Sequence, residues 1–128
     1  MPDPLTYRLY LKIMGLPRPT NQNARRHWAK QAHEARHWKN QVVLASRHQK
    51  PSEPLKKARL TLIRHSSSEP DFDGLVSSMK HDVDGLILSR IIANDKSSNI
   101  GAPQYKWEKA PRGGGFIEVI VEGESENG

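Results

Sequence analysis

Apolar and polar residues alternate from Thr6 to Met14: Leu9, Leu11 and Ile13 fall on one side, Arg8, Tyr10 and Lys12 on the other. A period of two predicts a half-buried strand there. The prolines of the following Gly15-Leu16-Pro17-Arg18-Pro19-Thr20-Asn21 bar regular pairing and predict a loop. From about Ala24 to Ser46 the period changes. Trp28, Ala32, Ala35, Trp38, Val42 and Ala45 recur at steps of three and four, the stripe of an amphipathic helix. Its other positions are basic, with Arg25, Arg26, Lys30, Arg36 and Lys39. A polar, Pro-containing connection spans Gln49 to Lys57, and a second strand is predicted from Ala58 to His65, with Leu60 and Leu62 inward.

After a loop at Ser66 to Glu69, one further helix is predicted over Asp73 to Leu88, with Leu75, Met79, Val83 and Leu86 inside. Ala93-Asn94-Asp95-Lys96 reads as a turn. The last segment reads as a hairpin: Tyr105 and Trp107 share a face, Pro111-Arg112-Gly113-Gly114-Gly115 turns, and Ile117, Val119 and Val121 alternate on the return. Residues from Glu122 on are expected to fray. The order β-α-β-α-β-β predicts a single small α+β domain, a mixed β-sheet with two amphipathic helices packed on it. The whole chain, 1–128, is expected to form that domain, with its core at about 6–122 and a flexible tail at 123–128.

Composition narrows the chemistry. There are 128 residues, a length that suits one domain. No apolar run approaches the roughly 20 residues of a membrane span, and Met1 to Thr6 lacks the basic and apolar regions of a secretory signal. A cytoplasmic location is the expectation. With no cysteine, disulfides and Cys-ligated zinc are excluded. A net charge of +6, histidines neutral, favours polyanionic partners, of which nucleic acid is the commonest.

The densest polar cluster is Glu69-Pro70-Asp71-Phe72-Asp73-Gly74-Leu75, followed by Lys80, Asp84 and Asp95. In extended backbone, residues two apart point the same way, so Asp71 and Asp73 can converge on one cation. Hard ions such as Mg²⁺ or Mn²⁺ prefer such oxygen ligands. On a continuous helix with Asp73 at zero, Lys80 falls near about −20° and Asp84 near about +20°, at 100° per residue. The three would share a face opposite Leu75, Met79 and Val83. A lysine there could hold a phosphate or stabilise a leaving oxygen. The plainer alternatives are a surface ion pair between Lys80 and Asp84 and a helix-capping Asp71.

This stretch resembles the RusA family of Holliday junction resolvases. That family carries Pro-Asp-x-Asp-Asn-Leu, a lysine on the next helix, an Asp four residues later, a hydrophobic segment and an acidic pair. The counterparts here are Pro70-Asp71-Phe72-Asp73-Gly74-Leu75, Lys80, Asp84-Gly85-Leu86, the segment Ile87 to Ile92, and Asn94-Asp95. Leu16-Pro17-Arg18-Pro19-Thr20-Asn21, His27-Trp28 and Trp38-Lys39 are similar to that family's opening, and Tyr105-Lys106-Trp107-Glu108-Lys109 to its phage and prophage-type members. The resemblance spans about residues 7–122. Three positions depart from it: Gly74 stands where Asn is usual, Asn94 replaces the first late acid, and the lysine follows the second Asp by seven residues rather than four. The last change keeps the helical face and shifts the rise by about 4.5 Å.

The resemblance implies a metal-dependent, structure-selective DNA endonuclease that resolves four-way junctions by paired cuts in recombination and repair. Asp71, Asp73 and Asp95 would bind Mg²⁺ (or Mn²⁺), Lys80 would assist at the phosphate, and Asp84, Asn94 and Glu69 would stand behind them. The products would be a 5′-phosphate and a 3′-hydroxyl. A homodimer would match the junction's two-fold symmetry. Arg25, Arg26, Lys30, Arg36 and Arg112 would contact DNA. Phe72, if exposed, could wedge between bases; burial, anchoring its loop, is the expected state. The alternative is a branched-DNA-binding module that keeps the fold without full activity, for which Gly74 and Asn94 speak. RNA binding has less support, since aromatics are few and no RNA signature occurs.

His33-Glu34-Ala35-Arg36-His37 matches the His-Glu-x-x-His zinc pattern. Its helix is crowded with Arg and Lys, which oppose a cation, and no clear third ligand follows, so the histidines are expected to face solvent, or to contact DNA when protonated.

Overall fold

A computed structural model describes residues 6–16 and 28–124 of the chain. The elements are β1 (Thr6–Met14), α1 (Trp28–Ser46), β2 (Ala58–Ser66), α2 (Phe72–Ser78), α3 (Lys80–Leu88), α4 (Ser97–Ile100), β3 (Gln104–Lys109) and β4 (Phe116–Glu124). The expected α+β class holds. The four strands form one mixed sheet in the order β1-β4-β2-β3, antiparallel except for the parallel pair β2/β3.

Register brings the alternating apolar positions into rows. Leu11, Val119, Leu62 and Tyr105 lie side by side across the sheet, as do Ile13, Ile117, Arg64 and Trp107. The aliphatic members of these rows are buried, together with Val42 of α1, Leu75 of α2, Val83 and Leu86 of α3, and Met79 between α2 and α3. One face of the sheet is therefore the core floor and the helices its roof. Each fully buried aliphatic side chain contributes about 1.5–3 kcal/mol. The other face carries Tyr10, Lys12, Met14, Lys106 and Glu108, all exposed.

The predicted hairpin is not present. β3 and β4 both pair with β2, which lies between them, so the 110–115 segment crosses over the end of β2, where the Ala110 amide donates to Ser66 O at 2.9 Å. A hairpin symmetric about Gly113 would set Glu108 opposite Glu118, and directly opposed like charges destabilise a sheet. The second predicted helix is also interrupted. Met79, with φ −108° and ψ 7°, separates α2 from α3. Met79 is nonetheless fully buried, as expected for the inner face.

Smaller differences follow the same packing. Ala45 is exposed, and Ser46 is buried at the end of the α1 stripe. Leu55, in the connection expected to be polar, is core, and its backbone bridges Ile92. Glu122, Gly123 and Glu124 continue β4 opposite Arg8, Tyr7 and Thr6, so the strand outlasts the point where fraying was expected. The predicted start of the first helix at Ala24, and residues 125–128, lie outside the described residues.

Two local features position the helices. A Cβ on Gly85 would stand 2.8 Å from Val42 Cβ and 3.2 Å from Lys39 O, so glycine lets α3 lie close against α1. α3 ends with Arg90 in the left-handed region at φ 63°, and the Ile91 amide returns to Leu86 O at 2.9 Å, a Schellman-type stop.

Candidate functional site

A cavity of about 540 Å³ opens between α2, α3, the 95–103 segment and β3. Asp73, Lys80, Asp84 and Asp95 line it, with Phe72, Val76, Val83 and Tyr105 among the remaining wall residues. The interruption at Met79 does not scatter the charged groups that a continuous helix was expected to align. It does alter the apolar side, because Val83, expected opposite them, shares their cavity. Lys80 Nζ lies 3.9 Å from Asp84 Oδ2. At the far wall, burial raises the Tyr105 hydroxyl above its ordinary pKa, and the neighbouring charge of Asp95 raises it further.

Asp71 is placed differently from expectation. It is the N-cap of α2, and its Oδ1 accepts from the Gly74 amide at 2.7 Å. Because α2 begins at Phe72, Asp73 is already helical, and the extended-chain argument for two convergent carboxylates does not apply. A Cβ on Gly74 would meet Asp71 Oδ1 at 2.8 Å, so a side chain there would require the Asp71 carboxylate to shift from its present position. Asn94 also serves its own turn: its Oδ1 accepts from the Lys96 amide at 2.9 Å. Neither Asp71, Asn94 nor the exposed Glu69 lines the cavity. Phe72, expected to be buried, is 67% exposed at the cavity wall.

Of the basic residues, Arg36 on α1 and Arg112 in the 110–115 segment are exposed. Arg25 and Arg26 fall outside the described residues. Lys30 falls within α1. His33, Glu34 and His37 border a shallow depression of about 250 Å³ with Leu16 and Trp38. Among the described residues, neither they nor Asp71, Asp73 and Asp95 bring three ligand atoms within 4.8 Å of one another.

One trio does, and sequence reasoning missed it. His65, Glu108 and Glu118 gather on the sheet face turned away from the helices, their ligand atoms within 4.8 Å, and could hold a metal ion. His65 pairs with Glu108 across β2/β3 and with Phe116 across β2/β4, two residues before Glu118. The His65 ring is buried and stacks on Phe116 with centroids 4.0 Å apart and planes 12° from parallel. Its Nδ1 lies 3.5 Å from Glu108 Oε2, and its Nε2 contacts Glu118 Oε1. The Tyr10 hydroxyl donates to the other Glu118 oxygen, and with His65 it holds the Glu118 carboxyl below its ordinary pKa.

A second missed group is Asp82, on α3 and 0% exposed. Neither of its carboxylate oxygens has a hydrogen-bond partner. Burial pushes its pKa from 3.8 to about 7, against the opposing pull of the Arg64 charge. Arg64 sits in the core-facing row of the sheet and is half-buried.

No known family model matches the chain, and no curated protein matches it. Among the described residues, no helix is long and apolar enough to cross a membrane.

Proposed function

We propose that this protein is a metal-dependent DNA endonuclease acting on branched DNA, with its reaction centre in the cavity lined by Asp73, Lys80, Asp84 and Asp95. The observation that carries the reading is the convergence on one cavity of three carboxylates and a lysine drawn from α2, α3 and the 93–96 turn. An all-oxygen donor set suits Mg²⁺ or Mn²⁺. Asp73 and Asp95 would hold such an ion. Asp84 lines the same cavity where Asp71 was expected; the three carboxylates do not all lie within 4.8 Å of one another, so an ion there would be held partly through water. When bound, the ion would lower the pKa of water and neutralise charge on a phosphoryl oxygen.

The chain's own groups supply the rest. Lys80, beside Asp84, offers a cation for the scissile phosphate and the departing 3′ oxygen. The cut would leave a 5′-phosphate and a 3′-hydroxyl. Phe72 presents an exposed ring beside the acids, where it can stack on an unpaired base at a branch. Arg36, Arg112 and the net charge of +6 favour a polyanion. A C2 homodimer would set two such centres against the two matching strands of a four-way junction. DNA recombination and repair in the cytoplasm is the corresponding setting. The resemblance to the RusA family supports the same reading.

The cap made by Asp71 favours a second reading, a branched-DNA-binding module with a depleted metal site. Incubating the protein with a labelled four-way junction and a matched linear duplex, in Mg²⁺, Mn²⁺ or EDTA, separates the two. Endonuclease action gives paired nicks in the junction alone, lost in EDTA and in Asp73→Asn. Tight junction binding without nicks in either metal would replace it with the binding module.

A further inference from the structure

The sheet face away from the helices holds a second place where chemistry is assembled, separate from the acidic cavity. Tyr105 of β3 points to the cavity side, and Glu108, of opposite parity on the same strand, belongs to the other face. We propose that His65, Glu108 and Glu118 form a transition-metal site whose ion ties the edge strand β3 to β2 and β4.

Three features support a built site rather than a chance meeting of exposed acids. First, the ligands come from three adjacent strands, so hydrogen-bonded register, not flexible side chains alone, sets their spacing. Secondly, the His65 side chain is 10% exposed and its ring plane is fixed by stacking on Phe116. Thirdly, Glu118 is itself oriented, because Tyr10 donates to the oxygen that His65 does not contact. Metal-ligating carboxylates are characteristically held in this way by an outer partner.

Glu108 is the adjustable member. Its side chain is 63% exposed, and its oxygen lies 3.5 Å from His65 Nδ1. One ion takes one ring nitrogen, so binding requires Glu118 to draw back from Nε2 and the exposed Glu108 to swing round from the Nδ1 side. Water would complete the coordination, since the trio offers three ligand atoms.

The donor set selects the class of ion. One imidazole nitrogen and two carboxylate oxygens suit Zn²⁺, Co²⁺ or Ni²⁺ better than Mg²⁺ or Ca²⁺, which prefer oxygen alone. Two carboxylates and a neutral imidazole leave the trio negative. Lys12, with Nζ 4.3 Å from the Phe116 ring centroid, offsets part of that charge and sets a limit on affinity. Without an ion, the same arrangement is an imidazole bracketed by two carboxylates. The experiment must therefore detect metal directly.

Metal-stripped protein carrying Asp73→Asn and Asp95→Asn, which disarm the acidic cavity, would be titrated with Zn²⁺ by calorimetry and with Co²⁺ by visible absorption. One equivalent should bind and raise the melting temperature, because an ion that binds the folded chain stabilises it. Glu108→Gln, at an exposed position tolerant of change, should weaken binding by about tenfold or more, and His65→Gln should abolish it. His33→Gln/His37→Gln should leave it intact. Unchanged affinity in Glu108→Gln, loss in the His33/His37 variant, or no uptake of Zn²⁺ would each overturn the proposal. The result does not depend on whether the protein cuts DNA.

Discussion

Replacing Asp82 with asparagine should stabilise the protein at neutral and alkaline pH and leave it little changed in acid. The Asp82 carboxyl is buried on α3 without a hydrogen-bond partner for either oxygen. Its pKa rises from 3.8 to about 7 on folding, driven by burial. Below pH 3.8 the group is neutral in both states, so the pH-dependent penalty vanishes and only the cost of burying an unpartnered polar group remains, which Asn shares. Between 3.8 and about 7 the unfolded chain releases its proton while the folded chain keeps it, so stability falls as pH rises. Above 7 both states are ionised and the full penalty persists. The gap of about three pH units, at 1.36 kcal/mol per unit, corresponds to about 4 kcal/mol. That is a large share of the 5–15 kcal/mol typical of a small domain. Asn keeps the shape without the charge, so Asp82→Asn should recover much of this, less the attraction lost to Arg64. Urea unfolding of both proteins at pH 4, 5.5, 7 and 8.5 would show their midpoints diverging steadily up to pH 7 and then running parallel. Curves that stay parallel across the whole range would refute the reasoning, as would an Asp82 carboxyl that titrates near 4 by NMR.

Two further substitutions test how glycines shape the helices. Gly85→Ala brings a Cβ within 2.8 Å of Val42 Cβ and 3.2 Å of Lys39 O; the overpacking of about 1–3 kcal/mol should outweigh the roughly 1 kcal/mol gain in helix propensity, read by urea denaturation, and an unchanged or raised midpoint would show that α1 and α3 can move apart. Gly74→Asn should displace the Asp71 carboxylate from its cap and cost about 1 kcal/mol; a double-mutant cycle with Asp71→Ala checks the cause, since an equal cost in both backgrounds would place the strain elsewhere.

What could be read from the chain divides along the range of the interaction. β1, β2 and the inner sides of α2 and α3 were legible because alternation and helical period are local, and burial of Leu9, Leu11, Ile13, Leu60, Leu62, Leu75, Met79 and Leu86 bears them out, while of the α1 stripe Val42 is buried and Ala45 is exposed. Strand partners were not. A glycine-rich turn between two alternating runs suggests a hairpin, yet the pairing of β2 with both β3 and β4 depends on contacts far apart in sequence. One cue was present: the hairpin register opposes Glu108 to Glu118, and the true sheet places His65 between their strands. The grouping of Asp73, Lys80 and Asp84 was legible from helical spacing, and Asp95 from the resemblance. The capping role of Asp71 was foreseen only as an alternative, since Asp serves helix starts and cations equally well. Asp82 escaped notice although its position pointed inward, three residues after Met79 and four before Leu86; a carboxylate is read by residue type as solvent-facing, and that outweighed the helical period.

The position of β4 has a bearing on how the chain comes together. Its pairing with β1 joins residues 6–14 to residues 116–124, and the same strand bridges β1 to β2. A growing chain that has emerged only as far as the 110–115 crossover has β1, both long helical regions and β2, but nothing to bind β1 to the rest of the sheet. Parallel pairing of β2 and β3 is available by then, and the helices can collapse on Leu60 and Leu62. The remaining strand must thread between two edges already presenting free amides and carbonyls, which are open meanwhile to strands of other molecules. Folding of this topology should be slow and late, governed by closure of the longest loop, and the interval before β4 arrives is when the nascent protein is most prone to aggregate.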